Sequence, residues 1–507
     1  MVQSLGLVLQ HTSEEPFYRQ IFDQVVDRVR TGAFPAGYRL PPTRELARVL
    51  GTHRNTVVRA YEDLLSAGFV ESTVGRGTFI AALPAARAAA KAVDGGRLPW
   101  STLLARGATA ESLTRYERLP RPPASADPIN MSKLQPSPDL MPDELLRRCL
   151  DHVFRVLGPR LLGYAPRDGT PRLRAAIACD LARLGVPAGA DDIVVTSGSQ
   201  QALDLIVRAL VNPGDPVLVD EATYTGALNV MSAGGARPIG VPGDDEGPSL
   251  EALERLGRSG AKALYLMPNA HNPTGTSISA ARREALVAWS HRSGVPIIED
   301  DFVADLDLDG DTTPAPAMRA LDGDVIHIGT FSKRLAPALR VGFAVVPAAL
   351  RPRLVSLKYT VDLGNSELLQ QTLAEFLERG YLTAHLSRTL PEYRRRRDAL
   401  EETLARHLPR HIRWRRAERG VWLWMPLPAP LEPLAVFDEA QRRGLIVHPS
   451  TLNMVEERRS GGGIRLTFCS ETPARLVEGA RRLGRAIAAL DGRAAAAGDD
   501  LTGMGGI

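Results

Sequence analysis

The chain has 507 residues, 44% hydrophobic and 24% charged, with a formal net charge of +4. At about 150 residues per domain, that length exceeds a single core and calls for about three folding units. Acidic and basic residues nearly balance, which excludes a uniformly basic nucleic-acid coat, and no apolar run is long enough to span a bilayer.

Cys149, Cys179 and Cys469 lie too far apart for a zinc ligand set and read as small core residues of a reducing compartment. No metal site is expected. The first ten residues lack a basic stretch followed by an apolar run, so the expectation is a soluble, cytoplasmic protein.

The first unit is expected over residues 14–80. Phe17, Ile21, Val25 and Val29 make a helical stripe within 16–31. Thr43 to Leu50 and Arg54 to Ala67 read as two further short helices, with Gly51 between them. Phe69 to Ile80 reads as a hairpin around Gly75-Arg76-Gly77. Residues 81–127 are rich in alanine and then proline and read as a linker with one short helix near Trp100 to Leu104. From 128 to 491 strands and helices alternate. Ile193–Val195, Pro216–Val219, Ala263–Met267, Pro296–Ile298 and Val325–Ile328 are short apolar runs followed by polar turns, which predicts an α/β unit with a doubly wound, mainly parallel sheet. The tail, 492–507, is small and polar and is expected to be disordered.

The segment Leu40-Pro41-Pro42-Thr43-Arg44-Glu45-Leu46-Ala47, followed by Leu50-Gly51 and by Arg54-Asn55-Thr56-Val57-Val58-Arg59-Ala60-Tyr61, carries the first functional signal. Ala47, Leu50, Val57, Tyr61 and Leu64 can share one core, and Gly51 permits a sharp turn. In a helix-turn-helix of this kind, helix three would lead into the major groove with Arg54, Asn55 and Thr56. Arginine reads guanine bidentately and asparagine reads adenine. With Gly68-Phe69 and Gly75-Arg76-Gly77-Thr78-Phe79, this pattern resembles the GntR-type winged helix. The resemblance implies that Arg44 contacts double-stranded DNA and that Arg76 and Gly77 sit on the wing. Arg48 and Arg59 read equally well as phosphate contacts or as solvated surface charge.

The second signal is a set of polar clusters, each placed where a strand ends. They are Thr196-Ser197-Gly198-Ser199-Gln200, Asp220-Glu221-Ala222-Thr223-Tyr224, Asn269-Ala270-His271-Asn272-Pro273-Thr274-Gly275, Glu299-Asp300-Asp301-Phe302 and Thr330-Phe331-Ser332-Lys333. Open α/β sheets bind ligands at that edge. Each cluster is commonplace alone: a Ser-Lys pair is usually surface and Asn-Pro-Thr-Gly is usually a turn. Their joint order resembles fold type I aminotransferases, and with the winged helix the chain resembles the MocR subfamily of GntR regulators.

That resemblance implies pyridoxal 5'-phosphate (PLP) as cofactor. Lys333 would hold it as a Schiff base, and Asp300 would pair with the pyridine nitrogen. Gly198, Ser199 and Gln200 open a helix whose amides suit the phosphate, joined there by Thr330, Ser332 and Arg340. Tyr224 would stack on the ring, and Asn272 would bond the ring hydroxyl, with the Asn272–Pro273 bond a candidate for cis. Arg465 matches the arginine that grips a carboxylate, and Tyr164 the residue that reaches a partner subunit's phosphate. One position departs: those regulators commonly carry tyrosine where Phe302 stands, while Asn272 is the enzyme-like choice. The implied function is a PLP-binding, DNA-binding transcription regulator that senses PLP or an amino compound and works as a head-to-tail homodimer. The alternative is an active aminotransferase with an accessory DNA-binding unit.

Overall fold

The computed structural model describes residues 7–10, 13, 15–30, 33–73, 77–81, 100–119, 127–303, 305–310, 315–456 and 462–502. The chain folds as two compact units, Met1–Leu103 and Leu104–Ile507.

In the first unit, α1 (Phe17–Arg30), α2 (Thr43–Leu50) and α3 (Arg54–Ser66) precede a hairpin of β1 (Val70–Thr73) and β2 (Gly77–Ile80). Ile21 and Val25 of α1 pack with Leu46, Val57, Ala60, Leu64 and the hairpin's Val70 and Ile80 in one buried cluster. Gly51 ends α2 in the left-handed region at φ 63°, its amide donating to the Ala47 carbonyl. That turn separates α2 from α3 by three residues and is cheap only for glycine. Tyr61 closes the same core and donates its hydroxyl to the Pro41 carbonyl, 2.9 Å away.

In the second unit a seven-stranded sheet runs in the order β3 (Ile193–Thr196), β9 (Gly342–Val345), β8 (Ile326–Thr330), β7 (Ile297–Asp300), β6 (Leu264–Leu266), β4 (Pro216–Asp220) and β5 (Arg237–Val241). All neighbours are parallel except β9, which is antiparallel to both β3 and β8. Strands β3, β6, β7 and β8 are buried along their whole length, which is why they read as continuous apolar runs rather than as alternating ones. A three-stranded antiparallel sheet places β12 (Gly463–Thr467) between β10 (Trp422–Pro426) and β11 (His448–Pro449).

Two expectations need correction. Residues 81–127 are not one open linker: a helix does form at Trp100–Leu103, but residues 104–119 make short helical turns that belong to the second unit. Residues 82–99 and 120–126 lie outside the described residues. The tail 492–507 does not break away at 491 either. The last helix runs Pro473–Thr502, because the run Ala494–Ala497 has the highest helix propensity and no proline interrupts it; residues 503–507 lie outside the described part. Among the described residues no helix is long and apolar enough to cross a membrane.

Candidate functional site

A cavity of about 570 Å³ opens at the carboxyl ends of the sheet strands. It collects Gly198, Ser199, Gln200, Tyr224, Asn272, Asp300, Thr330, Ser332, Lys333, Arg340 and Arg465, the whole set of positions expected for cofactor and effector.

One end of the cavity is built for an anion. The helix α4 (Ser199–Leu210) starts directly after Gly198, which sits at φ 91°. A Cβ there would lie 2.9 Å from Arg340 Nη2. Glycine therefore satisfies both the backbone angle and the approach of the guanidinium. Arg340 is itself left-handed, at φ 50°, and donates to the Ser197 carbonyl at 2.8 Å. Thr330 and Ser332 hydroxyls lie 3.1 Å apart. Gln200 is pinned across the cavity by a 2.7 Å bond to the Gly226 carbonyl. First-turn amides, two hydroxyls and one guanidinium thus converge, an arrangement suited to phosphate.

The middle of the cavity holds a buried acid and a buried amine. Asp300 ends β7. Its Oδ2 accepts a 2.8 Å bond from the Tyr265 hydroxyl, while its Oδ1 is buried without a partner. Burial pushes this carboxyl up to about 6, with the Tyr265 bond opposing and Asp301 adding. Next to it, the His327 ring bonds Glu299 Oε2 at 2.9 Å. Burial alone would raise Glu299, but His327 and the Met318 and Arg319 amides hold it below the usual range. Burial lowers the Lys333 amine, and the nearby Arg465 and Arg340 charges lower it further. Its Nζ donates to the Leu134 carbonyl. Tyr224 is pushed up to about 12, mainly by burial, so it presents a neutral ring. The Asn272–Pro273 bond is cis. Phe302 stacks on Trp422 with centroids 5.8 Å apart, and the Trp422 indole donates to the Pro273 carbonyl at 3.2 Å.

At the far end stands Arg465, on the central strand of the small sheet. It is buried, donates from Nη1 to Asn272 Oδ1 and from Nη2 to the Ser132 carbonyl at 3.1 Å, and leaves Nε without a partner. Burial pushes it down to about 10. His448, opposite Arg465 across the strand pair, bonds Asn453 Oδ1 at 2.8 Å and is held well below its ordinary value by burial and by Arg465.

In the first unit, Arg44, Arg54 and Asn55 are exposed and Thr56 is half-buried. Arg54 and Asn55 are the first two residues of α3. Gly77, at φ 113°, leads back from the hairpin tip, and Arg39 Nε would be 3.1 Å from a Cβ placed there. Arg76 lies outside the described residues. Of the two open cases, Arg48 is exposed, and the Arg59 guanidinium lies over the Tyr18 ring, 3.8 Å from its centroid.

Residues 132–483 match the family model for aminotransferase class I and II, and residues 17–80 match that for bacterial regulatory proteins of the gntR family. The probable rhizopine catabolism regulatory protein MocR of Rhizobium meliloti is 32% identical over 96% of this chain and 96% of its own. The chain belongs to the MocR subfamily of GntR-type regulators. The 2-aminoadipate transaminase of Thermus thermophilus is also 32% identical, but over 78% of this chain and 98% of its own. The crystal structure of LysN, an alpha-aminoadipate aminotransferase from Thermus thermophilus complexed with N-(5'-phosphopyridoxyl)-L-leucine, superposes with a TM-score of 0.69 at 30% identity, covering 78% of this chain and 99% of that one. The enzymes match the second unit; the regulator matches the chain from end to end.

The aminotransferase fold of this MocR-type chain implies PLP as its cofactor, and the residues fit that group. The lone Asp300 Oδ1 is an acceptor waiting for a buried donor. Gly198 keeps open a cradle that a side chain would fill. Several members of this MocR-type site escaped the sequence reading. Tyr265, within β6, is buried and serves Asp300. Lys133, Leu134, Asn229, His448 and Asn453 line the cavity from loops, a helix and strand β11, with no motif of their own. Tyr116 also lines it, from a stretch read as linker.

Proposed function

We propose that the chain is a cytoplasmic transcription regulator that binds double-stranded DNA through its first unit and, in its second, holds PLP and recognises an amino compound. The observation that carries this reading is the coexistence of an exposed, polar leading edge on α3 with one cavity that collects every residue expected for the cofactor, in the same chain. PLP supplies an aldehyde that condenses with amines and a ring that withdraws electrons. Lys333 anchors it. Asp300, when ionised, pairs with the protonated ring nitrogen. Tyr224 covers the ring face and Asn272 donates to the ring hydroxyl. Gly198, Ser199, Gln200, Thr330, Ser332 and Arg340 hold the phosphate. Arg465 takes the acid group of a carboxylate-bearing effector, its partnerless Nε being the donor in reserve.

On the DNA side, Arg54, Asn55 and Thr56 read bases, Arg44 contacts the duplex, and Arg76 and Gly77 belong to the wing. Losing one bidentate base contact costs about 1–3 kcal/mol. Arg54→Ala is expected to weaken binding to the regulator's own promoter by about that amount in gel-shift titrations, leaving the cofactor's absorption spectrum intact. Unchanged discrimination between promoter and random DNA would count against this docking.

The working unit is a head-to-tail homodimer. Leu162, Tyr164, Tyr359, Val361 and Leu363 are exposed. They are drawn together by the Tyr164–Ser366 bridge and by Arg167 over the Tyr359 ring. The same surface adjoins the anion end, since Asn365 bonds Ser197 Oγ at 2.7 Å. A second copy covering it brings its own Tyr164 towards that end. Light scattering on the PLP-loaded protein should read a dimer; a monomer that retains PLP would overturn this.

One observation favours aminotransferase activity: Asn272, the enzyme-like choice at its position, lines the cavity. Multiple-turnover keto-acid formation from an amine panel, with DNA affinity blind to every ligand, would select it.

A further inference from the structure

The first segment of the second unit, residues 104–119, is held at three points against two elements that line the cavity. Gly107 lies flush on the helix α5 (Thr225–Ala233): a Cβ there would come within 2.3 Å of the Ala233 carbonyl oxygen. The turn Glu111–Thr114 packs along α5 and buries Ser112. The Arg115 guanidinium donates to the carbonyls of Met454 and Val455.

Both supports are parts of the site. Helix α5 begins immediately after Tyr224, and its Thr225 hydroxyl bonds the Leu452 carbonyl at 2.8 Å. The loop that Arg115 grips is fastened to the end of β4 by the Thr223 amide on the Asn453 carbonyl and by the Val455 amide on the Glu221 carbonyl, at 2.8 and 2.9 Å. That loop also carries Asn453, the partner of His448. Between these anchors Tyr116 lines the cavity together with Tyr224 and Arg465. The residue is about half exposed, at 49%. A half-exposed tyrosine held on a two-sided anchor at the wall of an open cavity is placed to meet a ligand.

We propose that Tyr116 is a ligand-contacting residue: its hydroxyl donates to the acid group of the amino compound beside Arg465, so that a bound effector is held partly by the segment that connects the two units. The inference rests on the proposed use of the cavity for PLP and an amino ligand. It adds that recognition and communication share one residue. Binding that further restrains residues 104–119 changes the tether of the DNA-binding unit, and this restraint is a differential contact of the kind that coupling requires.

The full-length chain, freed of cofactor, is titrated with N-(5'-phosphopyridoxyl)-L-leucine, which carries a carboxylate, and with pyridoxamine phosphate, which does not. Hydrogen exchange of residues 105–117 is followed with each. A hydrogen bond to a charged group is worth roughly tenfold or more in affinity. Tyr116→Phe and Tyr116→Ala are therefore expected to lose at least about fivefold more affinity for the leucine conjugate than for pyridoxamine phosphate. In the wild type, the leucine conjugate should slow exchange in 105–117 more than pyridoxamine phosphate does. Equal losses for both probes, or no loss in either variant, would overturn the proposal, as would exchange that does not distinguish the probes. A wild type that binds pyridoxamine phosphate but not the conjugate would overturn it alone. A wild type that binds neither would overturn the cofactor reading and this inference with it.

Discussion

Replacing Lys333 with alanine is expected to abolish covalent retention of PLP. Two amines line the cavity, Lys133 and Lys333. Lys133 is exposed. Lys333 follows the carboxyl end of β8 and is largely enclosed, and burial lowers its pKa, which enlarges the fraction of free amine at neutral pH. A desolvated lysine of this kind is the better nucleophile towards an aldehyde. Borohydride reduction of the PLP-loaded wild type should fix one phosphopyridoxyl group, and peptide mapping should place it on Lys333. The alanine variant should keep its fold and DNA binding while losing the trapped group. Trapping at Lys133 in the native wild type would refute the assignment.

Neutralising Asp300 should weaken PLP binding by one to two orders of magnitude. Asp300→Asn keeps the shape and an acceptor for Tyr265, but loses the charge that pairs with a protonated ring nitrogen, a contact worth about 1.5–3 kcal/mol. The pH dependence has a definite sign. Burial raises the carboxyl to about 6 in the cofactor-free protein. Below that value the side chain is neutral and the pairing is absent; above it the charge is present. Wild-type affinity for PLP should therefore climb as pH rises through about 6 and then level, whereas the asparagine variant stays flat across that window. The linked stability effect runs the other way. A carboxyl whose folded value lies above its ordinary 3.8 leaves the empty protein unpenalised below that ordinary value, and the penalty grows as pH rises towards about 6. Bound PLP offsets it, so the cofactor's shift in thermal midpoint should be larger above pH 6 than below. A wild-type PLP affinity that falls as pH rises through 6 would contradict this account of Asp300.

Much of this was legible because the chemistry sits on chain signals that are local. The α2–turn–α3 unit is fixed by Gly51 and by apolar spacing, and its helices fall within a residue of the expected limits. The polar clusters around Gly198, Asp300 and Lys333 follow short buried strands, so strand ends and site positions are read together. What stayed hidden depends on contacts distant in sequence. Tyr265 looks like one more core residue of β6 until Asp300, 35 positions later, accepts its hydroxyl. β9 runs antiparallel inside a sheet that periodicity alone reads as parallel, and its Gly342 is needed because a Cβ would strike the Gly198 backbone at 2.6 Å. Residues 104–119 read as linker because their turns are short; their order comes from Gly107 on Ala233 and from Arg115 on the 454–455 carbonyls. The end of the last helix, at Thr502, lies beyond the expected limit because the tail was read as small and polar, whereas its four alanines are strong helix formers.

The central claim is that occupancy of the second unit's cavity changes what the first unit does. The most direct test is the affinity of the full-length protein for its own promoter, measured by fluorescence anisotropy at fixed salt. It is read for the cofactor-free chain, the PLP-loaded chain, and the PLP-loaded chain with a panel of amino acids and related amines. A coupling of about 1–3 kcal/mol, typical of linked sites, corresponds to a change of roughly 5- to 150-fold. The account predicts a change of that size for PLP itself or for at least one amine, lost in Lys333→Ala and, for a carboxylate-bearing amine, in Arg465→Ala. Promoter affinity identical in every ligand state, in a protein whose cofactor spectrum responds to those same amines, would contradict it.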